Sequence, residues 1–554
     1  MLSPLPDTEL RYPALPYNPV RRAASFTQRT AAGEIFLKRP NPTHDVENLI
    51  EDWKQALRER SPGSVADNQK LLHLTDLVNT AFVLGRVCRD FDVILAREDV
   101  DKIYKDLLME EGFWDQPVVF IDGVIEGLMR VGIVAHRNAL PENPRLRRTV
   151  LLDKMLNDAP SLWRHIWDNR RLIRCHTRTD HQYPEEIEPG QKAYTDPMTL
   201  LAIQYQQLYS AKFGPNHNAP LDSFIPHVSL YLWAHVSAAK DEPGHDDYAH
   251  RPVVAILREI SDASENGQER LDFLNEVVPV IGADALVSRW HQLFEGVKAG
   301  RIDPKHFLEV GNLMQSLVRN RDVVHSWSQR NMFALSVQMS TSLDLPVPER
   351  QTVWITLAGV ALLLGDTAHI MLEQDEFNAC IRAEDYVAHL ANGIYLADGR
   401  PAVTDMLNLL NEAIDWIGGA IMASNKSATR RYFGKEYEKS ARGAMRHEWY
   451  PGLLALRSLK QRLNEPTTET KGATGVITQW YMVGNMLLGI NEAKERKRHE
   501  QEAPRRCSRM ACAYHRRVPE QATGIEMKTC KGCGEVKYCG RECQVKCVQC
   551  DTRS

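Results

Sequence analysis

The sequence predicts an all-α protein: a large helical body followed by a small cysteine-rich C-terminal module. Three observations carry that expectation. Apolar residues recur at helical spacing over most of the chain, clean alternation of apolar and polar residues is scarce, and the breaks are short polar stretches rich in proline or glycine.

Residues 1–43 contain Pro4, Pro6, Pro13, Pro16, Pro19, Pro40 and Pro42 with little periodicity, which reads as an extended arm. The helical body is expected over 44–490. Val46, Leu49, Ile50, Trp53 and Leu57 fall at i, i+3, i+4, i+7 and i+11, so one helix face collects them. The same face recurs with Val100, Ile103, Tyr104, Leu107 and Leu108, and with Met406, Leu410, Ala413, Ile414 and Ile417. Pro117 stands where a first-turn proline belongs, ahead of Val118, Ile121, Val124, Ile125 and Leu128. Breaks are expected near 137–147, 176–196, 240–251 and 465–474. Many helices joined by short loops suggest stacked pairs, as in armadillo or HEAT arrays, or else an irregular helical domain, since no constant period emerges. Residues 491–506, NEAKERKRHEQEAPRR, read as a charged linker or a solvent-exposed helix.

The 554 residues, 43% hydrophobic and 25% charged, match ordinary globular protein. The net charge of −4 gives no global pull toward nucleic acid or acidic lipid. The N-terminal residues lack the basic flank and apolar run of a secretory signal. The longest apolar run, Val353 to Leu364, meets Gly365 and Asp366 too early to cross a bilayer, so an intracellular protein, cytoplasmic or nuclear, is expected.

Of eleven cysteines, only Cys88, Cys175 and Cys380 precede residue 500. The others form close pairs: Cys507 with Cys512, Cys530 with Cys533, Cys539 with Cys543, and Cys547 with Cys550. Crowding into one short segment, without a secretory signal, points to metal thiolates rather than a disulfide framework. Zinc takes four such ligands in a tetrahedron at about 2.3 Å, and close pairs supply two sulfurs at a time. The module has few apolar residues, so metal binding would supply most of its folding free energy, on the order of 10 kcal/mol per structural zinc. All eight cysteines are therefore candidate metal ligands, for one zinc ion or for two. From residue 491 onward there are 15 Lys and Arg against 9 Asp and Glu. Eight thiolates and two zinc ions would bring that +6 to about +2, so nucleic acid is not the expected partner and a nucleic-acid-binding regulator is the alternative rather than the leading reading.

The run CKGCGEVKYCGRECQ resembles the MYND-type zinc finger through Cys530, Cys533, Tyr538, Cys539, Cys543 and Gln544. The resemblance covers only about residues 507–550. It implies two zinc sites built from interleaved pairs: Cys507, Cys512, Cys539 and Cys543 for the first, and Cys530 and Cys533 opening the second. It departs from the family at C-x4-C in the first pair and, after Gln544, in lacking the family's tryptophan and its closing histidine and cysteine, eight and twelve residues after Cys543; Asp551 stands at the first of these places. Cys547 and Cys550 are the remaining candidates for the second site. On a helix Cys547 rises only about 6 Å from Cys543, against about 12 Å for a residue eight on, so the second site is either completed by this pair or left half-formed.

The family also implies a function: its fingers hold proline-containing peptides of the PxLxP kind. An interaction protein with a protein or peptide partner is thus expected, not an enzyme. Pro13-Ala14-Leu15-Pro16 in the arm falls one residue short of that motif. Some members of the family are SET-type lysine methyltransferases, but Asn216-His217-Asn218 is only a faint echo of the SET Asn-His-Ser-Cys motif. The histidines His245 and His250, with Asp246 and Asp247, lie in a polar loop stretch, and His227, His235 and His369 sit in apolar helices as core or capping residues. There is no P-loop, G-x-G-x-x-G, G-x-S-x-G or H-E-x-x-H. The sequence leaves the partner's identity and the oligomeric state open.

Overall fold

A computed structural model describes residues 42–60, 69–84, 94–95, 97–116, 118–139, 150–177, 196–214, 217–235, 267–300, 304–340, 345–397, 403–424, 434–463, 468–507, 514, 519, 525–529, 537–541 and 543–545. The proline-rich arm lies outside these residues except for Pro42 and Thr43, which open the first helix. The chain is helical, as its periodicity predicts, and among the described residues the only sheet has two short strands. It divides into two compact units, Met1–Asp262 and Ala263–Ser554.

The first unit contains α1 (Pro42–Glu59), α2 (Gln69–Leu84), α3 (Val100–Leu108), α4 (Val118–Ala139), α5 (Val150–Asp168), α6 (Arg170–Thr177), α7 (Asp196–Phe213) and α8 (Ile225–His235). Helices α2, α4 and α7 pack in succession, while α3 packs on α5 and α5 on α8, so alternate helices fall into two layers. The periodicity read from sequence is the packed face. Val46, Leu49, Ile50 and Trp53 in α1, and Val100, Tyr104, Leu107 and Leu108 in α3, are all buried. Trp53 Nε1 donates to Thr75 Oγ1 at 3.0 Å, tying α1 to α2.

The second unit alternates in the same way. It contains α9 (Gly267–Ile281), α10 (Ala283–Lys298), α11 (Pro304–Leu317), α12 (Arg321–Gln329), α13 (Met332–Ser340), α14 (Val347–Met371), α15 (Gln374–Cys380), α16 (Ala383–Leu396), α17 (Val403–Ser424), α18 (Lys435–Arg462), α19 (Thr468–Tyr481) and α20 (Glu492–Glu502). One layer runs α11, α14, α17, α19 and the other α13, α16, α18, α20. Helices of the first layer begin at residues 304, 347, 403 and 468, so the spacing is irregular and no fixed repeat length accompanies the alternation.

Two expectations change. The break placed at 465–474 is shorter, because α19 already begins at Thr468. Its threonines and glycines are weak helix formers, but the buried Ala473, Val476 and Trp480 hold the segment against its neighbours, and packing overrides propensity. The apolar run of α14 does not stop at Gly365 and Asp366. The helix continues to Met371, and Val347–Ala368 is long and apolar enough to cross a membrane by length and composition. Of that window 61% is buried inside the fold. Gly365 is where Trp416 of α17 comes closest: a β-carbon there would lie 2.4 Å from the indole. A helix apolar on all sides is what the middle of two layers requires.

The end of this unit is tightly clasped. Trp449 Nε1 donates to the Trp480 carbonyl and Trp480 Nε1 to the Trp449 carbonyl, each at 2.9 Å, and both indoles are fully buried. A one-turn π-helix, Met482–Leu487, follows α19, and Gly489, at φ +65°, turns the chain into α20. Residues 491–506 are thus mostly helix, laid along α18.

Candidate metal centre

The cysteine-rich segment begins where α20 ends. A 3₁₀ turn, Ala503–Arg505, closes the helix, Arg506 is extended, and Cys507 comes next. The Cys507 amide donates to the Tyr514 carbonyl at 2.8 Å, which joins the first cysteine to a residue just past Cys512 in sequence. Further on, β1 (Lys528–Thr529) and β2 (Lys537–Tyr538) pair antiparallel, with Lys528 opposite Tyr538 and Thr529 opposite Lys537. Thr529 immediately precedes Cys530 and Tyr538 immediately precedes Cys539, so the hairpin sets the entry and exit of this stretch. A short helical turn then carries Cys543, and Gln544 N donates to the Gly540 carbonyl at 3.3 Å.

These pieces bring three sulfurs together from positions 36 residues apart. The Sγ atoms of Cys507, Cys539 and Cys543 all lie within 4.8 Å of one another, and those of Cys539 and Cys543 are 3.4 Å apart. A tetrahedral zinc site with bonds of about 2.3 Å has sulfur–sulfur edges of about 3.8 Å, inside the 4.8 Å that bounds all three separations. Cys507 is 1% and Cys543 7% exposed, while Cys539 is half-buried. They form a miniature core with the buried Tyr538, against which Tyr514 and Met527 pack. The group is therefore close enough to hold a metal ion, and an all-sulfur donor set suits zinc.

Three of the four sulfurs assigned to the first site thus converge. Cys512, its expected fourth ligand, lies outside the described residues, as do Cys530, Cys533, Cys547 and Cys550. No protein-family model, curated protein or solved structure matches this chain.

Elsewhere Cys380, His227 and His389 are core residues. Cys380 is buried and its thiol is pushed up to about 12, so it is an inert thiol with no metal-ligating partner among the described residues. His227 is packed between Trp167 and Phe224, and burial pulls its imidazole down to about 4. The stretch 245–250 and the His369 side chain lie outside what is described. Sequence reasoning missed His389, which is fully buried, stacks on Trp354 at 4.9 Å and is pulled down to about 3 by burial. It also missed the supporting roles of Tyr514 and Met527. Both lie between cysteine pairs, where side chains that cover the sulfurs are to be sought.

Proposed function

We propose that this chain is an interaction protein whose C-terminal segment is a zinc-stabilised, MYND-like finger that holds a proline-containing peptide, with the helical body as its scaffold. The observation that carries the reading is the convergence of Cys507, Cys539 and Cys543 on a core too small to fold by apolar burial alone. The aromatic Tyr538 sits where the resemblance places the residue before the third cysteine pair, and it packs on the sulfurs. The proposed role is binding, with zinc as a structural ion: four thiolates close the metal to water and substrate. An extended proline segment loses little conformational entropy on docking, which suits a shallow groove on a small module.

Native mass spectrometry of the full chain should count at least one tightly held zinc that chelator removes. A PxLxP peptide should bind the zinc-loaded chain, and lose that binding when zinc is stripped. A chain that takes up no zinc refutes the metal assignment. A zinc-loaded chain that ignores proline-containing peptides refutes the partner assignment alone.

A further inference from the structure

The charged helix α20 is held in an unusual way. It has no fully buried residue, yet it is the last helix of its layer. Its half-buried positions are Glu492, Glu495, Arg498, His499 and Glu502, a stripe at helical spacing made entirely of charged or titratable side chains. The contacts that dock this stripe on α18 are polar. Glu492 accepts from Arg457 at 2.8 Å, Arg498 donates to the Arg446 carbonyl, and the His499 ring meets the edge of Tyr450 at 5.5 Å. Ion pairs of this kind contribute little each, and an isolated eleven-residue helix is marginal in water.

The two ends of α20 carry contacts of their own. At the start, Asn491 Oδ1 accepts from the Lys494 amide, and Asn485 Nδ2 donates to the Ile490 carbonyl. At the finish, Arg506 is only 7% exposed and pairs with Glu502 in the last turn. The very next residue is Cys507, 1% exposed and one of the three converging thiols. Only the 3₁₀ turn Ala503–Arg505 and the buried Arg506 separate the helix from Cys507.

We propose that metal loading at Cys507, Cys539 and Cys543 and the docking of α20 on α18 are one coupled equilibrium. It rests on the zinc reading above. A metal that fixes Cys507 fixes the C-terminal end of α20, and the polar stripe then needs only to be aligned, not to hold the helix by itself. The finger is thereby oriented by the helical unit rather than tethered to it, and metal gain or loss is felt at the end of the stack. Because coupling between two equilibria is reciprocal, the docked α20 must favour metal over the undocked one by the same factor by which metal favours docking.

Hydrogen–deuterium exchange on the full chain tests this, with zinc content counted by native mass spectrometry in each state. Stripping zinc should speed exchange across residues 492–505 by about tenfold and leave residues 407–421 of α17 unchanged. In the converse arm, the double substitution Asn491→Ala with Glu492→Gln removes the N-cap and the Arg457 pair. Zinc affinity, read by competition with a chromophoric chelator, should fall once α20 is largely undocked, by at most the factor by which stripping zinc speeds its exchange in the wild-type chain. Equal protection of 492–505 in chains shown to be loaded and empty overturns the coupling, as does unchanged zinc affinity in a variant whose empty-chain α20 exchanges as an undocked helix. A wild-type chain that holds no zinc overturns the metal reading, and the coupling with it.

Discussion

Gly484 offers the sharpest test of how the end of the helical stack is built. It lies in the π-helical turn after α19 and faces the Trp449 indole so closely that an added β-carbon would sit 2.0 Å from Nε1 and 2.2 Å from Cδ1. Trp449 cannot swing away without loss, because its Nε1 donates to the Trp480 carbonyl and its ring is fully buried. Overpacking a filled core costs about 1–3 kcal/mol, and stranding a buried donor and acceptor costs about 1–3 kcal/mol more. The helix-propensity gain of alanine over glycine returns roughly 1 kcal/mol. Gly484→Ala should therefore destabilise the second unit by about 3 kcal/mol, the middle of that range. Gly443→Ala is the matched control: Gly443 is exposed within α18 with nothing within 4 Å of its β-carbon position, so the substitution should stabilise by roughly 0.5–1 kcal/mol. Urea unfolding followed by tryptophan fluorescence and circular dichroism reads both. If Gly484→Ala unfolds at the same urea concentration as wild type or as Gly443→Ala, the Trp449–Trp480 clasp is not the rigid feature described here. The same variant should disturb the seat of α20, since the Ile490 amide donates to the Gly484 carbonyl.

Three further outcomes are expected. Buried His389 stays neutral in the native state to about 3, whereas the unfolded chain takes up its proton near 6.5. The stability it contributes is complete above that unfolded value and is lost as pH falls toward 3, by about 2 kcal/mol at pH 5. His389→Phe should flatten the difference in urea midpoint between pH 7 and pH 5. Cys539→Ser should remove at least one zinc from the full chain by native mass spectrometry, whereas Cys380→Ser, far above neutral in its thiol pKa, should leave the count unchanged. Raising salt from about 0.1 M to about 1 M shortens the Debye length from about 10 to about 3 Å. In hydrogen exchange this should loosen α20, docked by ion pairs, before it affects the apolar α17.

Much of the fold was legible because apolar periodicity and burial are the same fact seen twice. Met406, Leu410, Ala413, Ile414 and Ile417 mark the inner face of α17, and every one is buried. What periodicity could not show is how helices distant in sequence interlock. Gly365 meets Trp416, and Gly484 meets Trp449, across separations that no local window spans. The start of α19 was missed for a related reason: local propensity at Thr468 is poor and the compensating contacts are tertiary. For the site, cysteine spacing pointed to a metal cluster, and three sulfurs of one predicted set do converge. The role of α20 was harder to see, because a helix docked by charged residues leaves no hydrophobic signal.

That last point bears on how a small metal module can be joined to a large helical domain. An apolar linker helix would dock permanently, through burial indifferent to what happens at its far end. A flexible linker would transmit nothing. A charged helix whose inner stripe is Glu492, Glu495, Arg498, His499 and Glu502 lies between these limits, held at both ends and only weakly along its length. Its stability is then decided by its ends. One end is the turn at Gly489, built into the Trp449–Trp480 clasp, and the other is Cys507. On the proposed coupling, a metal at Cys507 acts at the end of a helix with no fully buried residue, where a modest free energy has a large structural effect. By the same reasoning, a charge reversal on the stripe such as Glu492→Lys should mimic partial metal loss in the exchange pattern of α20, without changing which sulfurs converge.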